Sequence, residues 1–162
     1  MNKILSVDVR PAVSSDTSSI FAMGVQIFSE ESFENYFKYL SKKYRPQYMV
    51  AQHNGQVVGF AIYKLYPGRI HLFIVAVHPD WRRKGIGSRM LEMIITKLNL
   101  KKPLITMEEV RDGNLGFHLF LRDFRKKIGK SGFIATKVIW GFFEDTGEDA
   151  YVFKFFPFMF GN

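Results

Sequence analysis

Val77-His78-Pro79-Asp80-Trp81-Arg82-Arg83-Lys84-Gly85-Ile86-Gly87 is the stretch on which the fold turns. Upstream of it, Ile70 to Val77 reads as a well-buried strand, apolar over most of its length. Downstream, Ile86, Met90, Leu91, Ile94 and Leu98 recur at helical spacing. A strand therefore enters the glycines and an amphipathic helix leaves them. The N–H groups in the first turn of a helix lack intrahelical partners and carry partial positive charge, so such a junction attracts phosphate. Gly85 and Gly87 let the backbone approach an anion closely and permit positive φ. Arg82, Arg83 and Lys84 add cationic charge beside it.

Other readings of glycine-rich stretches fit less well. A dinucleotide fingerprint needs a third glycine where Met90 stands, and a parallel rather than antiparallel context. Gly129-Lys130-Ser131 looks like the end of a P-loop, but its first glycine would fall on Phe124, and a helix precedes it. The plain alternative is a solvated basic turn with glycines for geometry. Val77 and Pro79 upstream, with a strand before and a helix after, weigh against it.

Working outward, Val7 and Val9 alternate with polar neighbours, which predicts a strand ending near Pro11. Ser14, Ser15 and Asp16 can cap a helix that carries Ile20, Phe21 and Val25 on one face. A second helix is predicted from about Ser29 to Lys43, with Phe33, Phe37 and Leu40 on one side. Tyr48 to Gln52 and Gln56 to Leu65 read as strands joined by Asn54-Gly55, a type I′ hairpin signal. Tyr66-Pro67-Gly68-Arg69 fits a type II turn. Beyond the central helix, Lys101-Lys102-Pro103 is a break and Leu104 to Val110 a strand. Phe117, Phe120, Leu121, Phe124 and Ile128 mark a fourth helix. Gly132 to about Phe143 and Ala150 to Phe156 read as strands around a turn at Thr146-Gly147. The order is β-α-α-β-β-β-α-β-α-β-β. The predicted fold is α/β of the α+β type: a mixed, mostly antiparallel sheet of about seven strands flanked by four helices.

Composition sets the outer bounds. The 162 residues suit a single domain over 1–162, and 47% hydrophobic content marks a globular chain. No window approaches the ~20 apolar residues of a membrane span. Met1-Asn2-Lys3-Ile4-Leu5 lacks the apolar stretch of a signal peptide, so a cytoplasmic location with no membrane partner is expected. There is no cysteine, which excludes disulfides, thiolate metal sites and a cysteine nucleophile. His53, His71, His78 and His118 show no metal-ligand spacing, so no metal is expected and each reads as structural or surface. A formal charge of +8 favours anionic partners: a phosphate-rich cofactor, nucleic acid or the ribosome. No RNA-recognition, KH or helix-turn-helix signature supports nucleic acid.

The V-x-P-x-x-R-x-x-G-x-G run resembles the acetyl-CoA motif of the GNAT acetyltransferase superfamily, and the resemblance covers nearly the whole chain. It implies an acyltransferase with acetyl-CoA as co-substrate. By resemblance, the backbone of Val75, Ala76 and Val77 pairs with the pantetheine arm at a splayed strand. Arg82 lies in the same motif, and the amides of Arg83, Lys84, Gly85, Ile86, Gly87 and Ser88 bind the pyrophosphate. Two further stretches resemble the branch that acetylates protein N-termini, the RimI-type and archaeal enzymes. Glu109-Val110-Arg111-Asp112-Gly113-Asn114 is similar to its E-V-R-x-x-N. Gly141-Phe142-Phe143-Glu144-Asp145-Thr146-Gly147-Glu148-Asp149-Ala150-Tyr151 resembles G-Y-Y-x-x-G-E-D-A-Y with one residue inserted. Ser29-Glu30-Glu31-Ser32-Phe33 resembles the S-E-x-x-F that starts the second helix in RimI-type enzymes.

The resemblance also implies roles for individual side chains. Glu109 is implied as general base, against the alternative of a solvent-facing glutamate paired with Arg111. Glu108, its neighbour, points to the other face of a regular strand. The chemistry asks for such a group: an α-amine of pKa near ~8, against ~10.4 for lysine, must lose a proton before it attacks a thioester. Asn114 is implied to contact the cofactor arm, and is also a natural helix N-cap. Phe28, Glu30, Phe142 and Phe143 are the implied acceptor-binding residues. Phe142 and Phe143 depart from the branch by lacking tyrosine hydroxyls.

The branch's general-acid tyrosine is also missing. Counting forward from Asn114 gives Leu121, and counting back from Gly132-Phe133 gives Ile128; neither can donate a proton. The counts disagree because the helix is about seven residues, or nearly two turns, longer than usual. The added length carries Arg122, Arg125, Lys126, Lys127 and Lys130, a solvated face or a contact for the CoA 3′-phosphate or the ribosome. His118 is a possible substitute acid. The aromatic tail through Phe158, Met159 and Phe160 reads as core packing, or as cover for a dimer partner or the acceptor cleft. The expected reaction is direct acetyl transfer to a primary amine, foremost the N-terminal α-amine of a protein or peptide, with ribosomal proteins among the candidate acceptors. The alternatives are a small-amine or lysine acetyltransferase, an inactive acetyl-CoA-binding protein, and a ribosome- or nucleic-acid-associated protein.

Overall fold

Apolar periodicity and turn residues resolve the chain into the predicted order of elements. The structure, a computed structural model, describes residues 6–96, 104–127 and 133–156. Among them lie β1 (Asp8–Pro11), α1 (Thr17–Ile27), α2 (Glu30–Tyr44), β2 (Gln47–His53), β3 (Gln56–Tyr66) and β4 (Arg69–Val77). They continue with α3 (Ile86–Thr96), β5 (Leu104–Arg111), α4 (Leu115–Lys127), β6 (Phe133–Ile139) and β7 (Ala150–Phe156). A 3-10 turn at Ser14–Asp16 leads into α1, and another at Pro79–Trp81 separates β4 from α3. The strands are hydrogen-bonded in the order β1-β2-β3-β4-β5-β7-β6. β1–β2, β2–β3, β5–β7 and β6–β7 are antiparallel, and β4 runs parallel to β5. This is the mixed, mostly antiparallel α/β sheet expected from the sequence.

The chain divides into two compact units, Met1–Lys64 with Ile74–Ile94 and Leu65–Phe73 with Ile95–Asn162. In the first, Asn54 and Gly55 have φ of 47° and 81°, the positive pair that a type I′ turn requires between β2 and β3. The register slips between Ala51 and Gln52, because Ala51 faces Gly59 while Gln52 faces Val57. Val58 is thus a bulged residue, and its carbonyl accepts from the His78 amide at 2.9 Å. Helices α1 and α2 meet through an aromatic cluster centred on Phe33, whose ring lies 5.7 Å from Phe21, 5.8 Å from Phe37 and 6.0 Å from Phe60. Gly24 makes room for it: a Cβ there would come within 2.1 Å of Phe33 Cζ. Asp16 is buried and accepts from Arg10 at 2.7 and 3.0 Å and from the Val13 amide at 2.8 Å. The Arg10 guanidinium foremost, then the amide, holds its carboxyl below the ordinary range.

In the second unit, Arg69–Leu72 of β4 pair with Leu104–Met107 of β5. The α4 helix buries Leu121 and Phe124, and β7 buries Phe153. The strand expected to reach Phe143 ends at Ile139. Trp140 and Gly141 turn out of the sheet, with Gly141 at φ 60°, and the next residues close a tight loop on themselves. Leu98, Lys101 to Pro103, Ile128 to Gly132 and Phe158 to Phe160 lie outside the described residues.

Candidate active site

The first unit holds the strand–turn–helix junction. His78 opens the turn, and Arg82 Nε donates to the Val77 carbonyl at 2.9 Å. Lys84 Nζ donates to the Asp80 carbonyl at 2.9 Å and lies 4.9 Å from the Trp81 ring centroid. The indole also meets His53, with centroids 4.7 Å apart. His53 Nδ1 faces the Ser6 carbonyl at 3.0 Å and therefore donates. The cations expected to face phosphate thus also brace their own loop, Arg82 and Lys84 by donating to its carbonyls.

Positive φ occurs at Arg83 (64°) and Gly85 (76°). Gly87 is already helical and sits within the first turn of α3, so only one of the two glycines takes the left-handed conformation. Arg89 N donates to the Gly85 carbonyl at 3.0 Å, which makes Gly85 the residue that starts the helix. The N–H groups of Ile86, Gly87 and Ser88 then have no intrahelical carbonyl to meet. Arg89 Nη2 ties the helix to the Val7 carbonyl at 2.8 Å. Gly59 in β3 leaves space beneath: a Cβ there would be 3.2 Å from both the Ala76 carbonyl oxygen and Met90 Cε. Phe28 and Glu30 stand in the same unit at the α1–α2 corner. Phe28 is half exposed and stacks on Phe33 at 5.8 Å, and Glu30 is exposed at the head of α2.

The second unit holds Glu109, Asn114, Phe142 and Phe143. Met107 faces Phe153 and Val110 faces Tyr151, so Glu108 and Glu109 together oppose Val152 alone. This bulge suspends the regular alternation at the expected catalytic position, so the pleat by itself does not separate the two glutamates. Asn114 caps α4, accepting from Phe117 N at 3.3 Å. Arg111 pairs with Asp145 and Glu148 across the 140–149 loop. Its guanidinium holds the Asp145 carboxyl below its usual range, and the Gly113 amide does most to lower that of Glu148. Asp112 pushes the Tyr151 phenol above its ordinary range, by hydrogen bonding first and by its charge second.

His118 Nε2 donates to the Arg111 carbonyl at 3.1 Å and packs edge-on to Tyr151 and Phe153, a structural role. Leu121, at the forward count for the missing tyrosine, is core. Arg122 pairs with Asp123, and Lys126 is exposed. Among the described residues no group of His, Asp or Glu is arranged to hold a metal, and no helix is long and apolar enough to cross a membrane. The pairing of Arg111 with Asp145 and Glu148 is a contact that sequence reasoning missed. The available signal was a lone cation in one motif and a run of carboxylates in the other.

The model of the Acetyltransferase (GNAT) family matches residues 12–123, and the chain belongs to that family. A [ribosomal protein bS18]-alanine N-acetyltransferase from Escherichia coli K12 is 36% identical over 61 residues, which is 38% of this chain. The match spans 41% of that relative, about two fifths of its length. The crystal structure of the ribosomal-protein-S18-alanine N-acetyltransferase from Escherichia coli superposes with TM-score 0.70 at 21% identity, covering 97% of both chains. A diaminobutyrate acetyltransferase from Paenibacillus lautus, solved with its substrate and coenzyme A, gives TM-score 0.70 at 20% identity over 98% of this chain and 99% of that one. At these identities the structural likenesses carry the fold alone.

Proposed function

We propose that residues 1–162 act as one cytoplasmic acetyltransferase domain that moves acetyl from acetyl-CoA to the N-terminal α-amine of a protein or peptide. The observation that carries the acetyl-CoA half is the turn from β4 into α3. Gly85 at φ 76° starts the helix, and the amides from Arg83 to Ser88 follow one another around the bend. Val75 to Val77 lie beyond the Arg69–Leu72 ladder, which fits the role of pairing with the pantetheine arm. Asn114, beside its capping duty, is the second contact for that arm.

For the reaction, the amine nitrogen attacks the thioester carbonyl carbon, the C–S bond breaks and the CoA thiolate leaves. The amine's proton passes to Glu109 directly or through water, and the thiolate takes a proton from solvent. Direct transfer fits a chain without cysteine.

The α-amine is favoured over lysine because its lower pKa, near ~8 against ~10.4, asks less of the base. The relative that is 36% identical over 61 residues, named a [ribosomal protein bS18]-alanine N-acetyltransferase, supports a protein acceptor. Acetylation of a small amine is the second reading, favoured by the phenylalanines at 142 and 143, which lack the tyrosine hydroxyls that the peptide-acetylating branch places there. A panel of N-terminal peptides, lysine peptides and polyamines, assayed for CoA release, separates the two. Turnover confined to polyamines or lysine peptides excludes the first reading.

A further inference from the structure

We propose that Arg111 is a positioning residue that fixes the 140–149 loop in one shape and so sets how the acceptor is received. The inference rests on the reading of Phe142 and Phe143 as acceptor-facing. Arg111 Nη1 donates to Asp145 Oδ1 at 3.3 Å, Thr146 Oγ1 at 3.1 Å and Glu148 Oε1 at 3.3 Å. Nη2 donates to Asp145 Oδ1 at 3.3 Å and Oδ2 at 3.1 Å. The same guanidinium carbon lies 3.9 Å from the centroid of the Phe143 ring. One side chain thus grips four residues of a single loop.

The far end of the clasp is equally specific. Glu148 Oε2 accepts from the Gly113 amide at 2.9 Å, and a Cβ on Gly113 would stand 2.7 Å from that oxygen. Within the loop, Gly147 N and Phe143 N bond to the Phe143 and Glu148 carbonyls at 2.7 and 3.1 Å. Asp149 closes its base, taking Gly141 N on the side chain at 2.8 Å and Asp112 N on the carbonyl at 3.1 Å.

The clasp divides the pair of phenylalanines. Phe143 has a ring face taken by Arg111, while Phe142, 38% exposed, is the one left to meet an acceptor. Lysine cannot replace Arg111, because its point charge lacks the planar fork that serves several oxygens while lying on a ring. The ion pairs are partly exposed and individually weak, so their loss loosens the loop without unfolding the protein.

The test uses Arg111→Lys and, separately, Gly113→Ala in the full chain. Trp140, 80% exposed at the loop's start, reports on the loop once Trp81, the other tryptophan, is changed to Phe. Expected are a larger fast component in the Trp140 fluorescence anisotropy decay and an acceptor-peptide KM raised about tenfold, with the acetyl-CoA KM unchanged. An anisotropy decay like that of the parent in both variants overturns the clasp. A loosened loop with an unchanged acceptor KM leaves the clasp standing and overturns the acceptor reading on which it rests.

Discussion

Glu109 occupies a β-bulge, and that placement sharpens how its role is tested. Since Glu108 and Glu109 share one partner residue, both must be changed. Glu109→Gln is expected to lower kcat by about 100-fold or more, and Glu108→Gln only by a few-fold, in steady-state assays with saturating acetyl-CoA. Equal losses would remove the assignment of a single base. Asp16 carries a different prediction, about stability. Its folded pKa lies below the unfolded value near ~3.9, so its contribution is complete above about pH 4 and is lost as pH falls through the folded value. Asp16→Asn should therefore destabilise the neutral protein by about 1–2 kcal/mol and flatten the acid limb of a plot of Tm against pH. These side-chain partnerships are only half visible in the sequence. Asp16 reads there as a helix cap, and the structure gives its carboxylate to Arg10 and Val13 instead.

At the scale of elements, two glycines carry the strongest expectations. Gly85 begins α3 with φ 76°, a conformation that β-branched residues avoid. Gly85→Val should raise the Kd for acetyl-CoA at least about tenfold by calorimetry, and Gly85→Asn should do so less, because asparagine tolerates the left-handed region. Gly24→Ala places a methyl group 2.1 Å from Phe33 Cζ and forces the α1–α2 contact apart. The expected cost is about 1–3 kcal/mol of unfolding free energy in urea titration. Most elements could be read in advance because their signals are local. Asn54-Gly55 specifies its hairpin, and the spacing of Ile86, Met90 and Ile94 specifies α3. The strand ending at Ile139 escaped, since Phe142 and Phe143 look like strand residues and only the loop closing around them takes them out of the sheet.

For the molecule as a whole, binding and stability are linked. Acetyl-CoA at 100 times its Kd should add about 2.7 kcal/mol, a rise in Tm of roughly 5–10 °C for a chain of this size. Differential scanning fluorimetry checks this, and no shift with saturating acetyl-CoA would contradict the cofactor assignment. The order of elements and the glycine turn into α3 were settled by sequence alone, because periodicity, turn residues and a helix start act over a few neighbouring positions. Only the tertiary structure decided the bulge at Glu108 and Glu109, the buried pairing of Asp16 and the grip of Arg111 on Asp145 and Glu148. The grip joins residues 34 and 37 positions apart, and the bulge is set by the pairing of β5 with β7. Contacts at such separation depend on how strands register against one another, which no local pattern encodes.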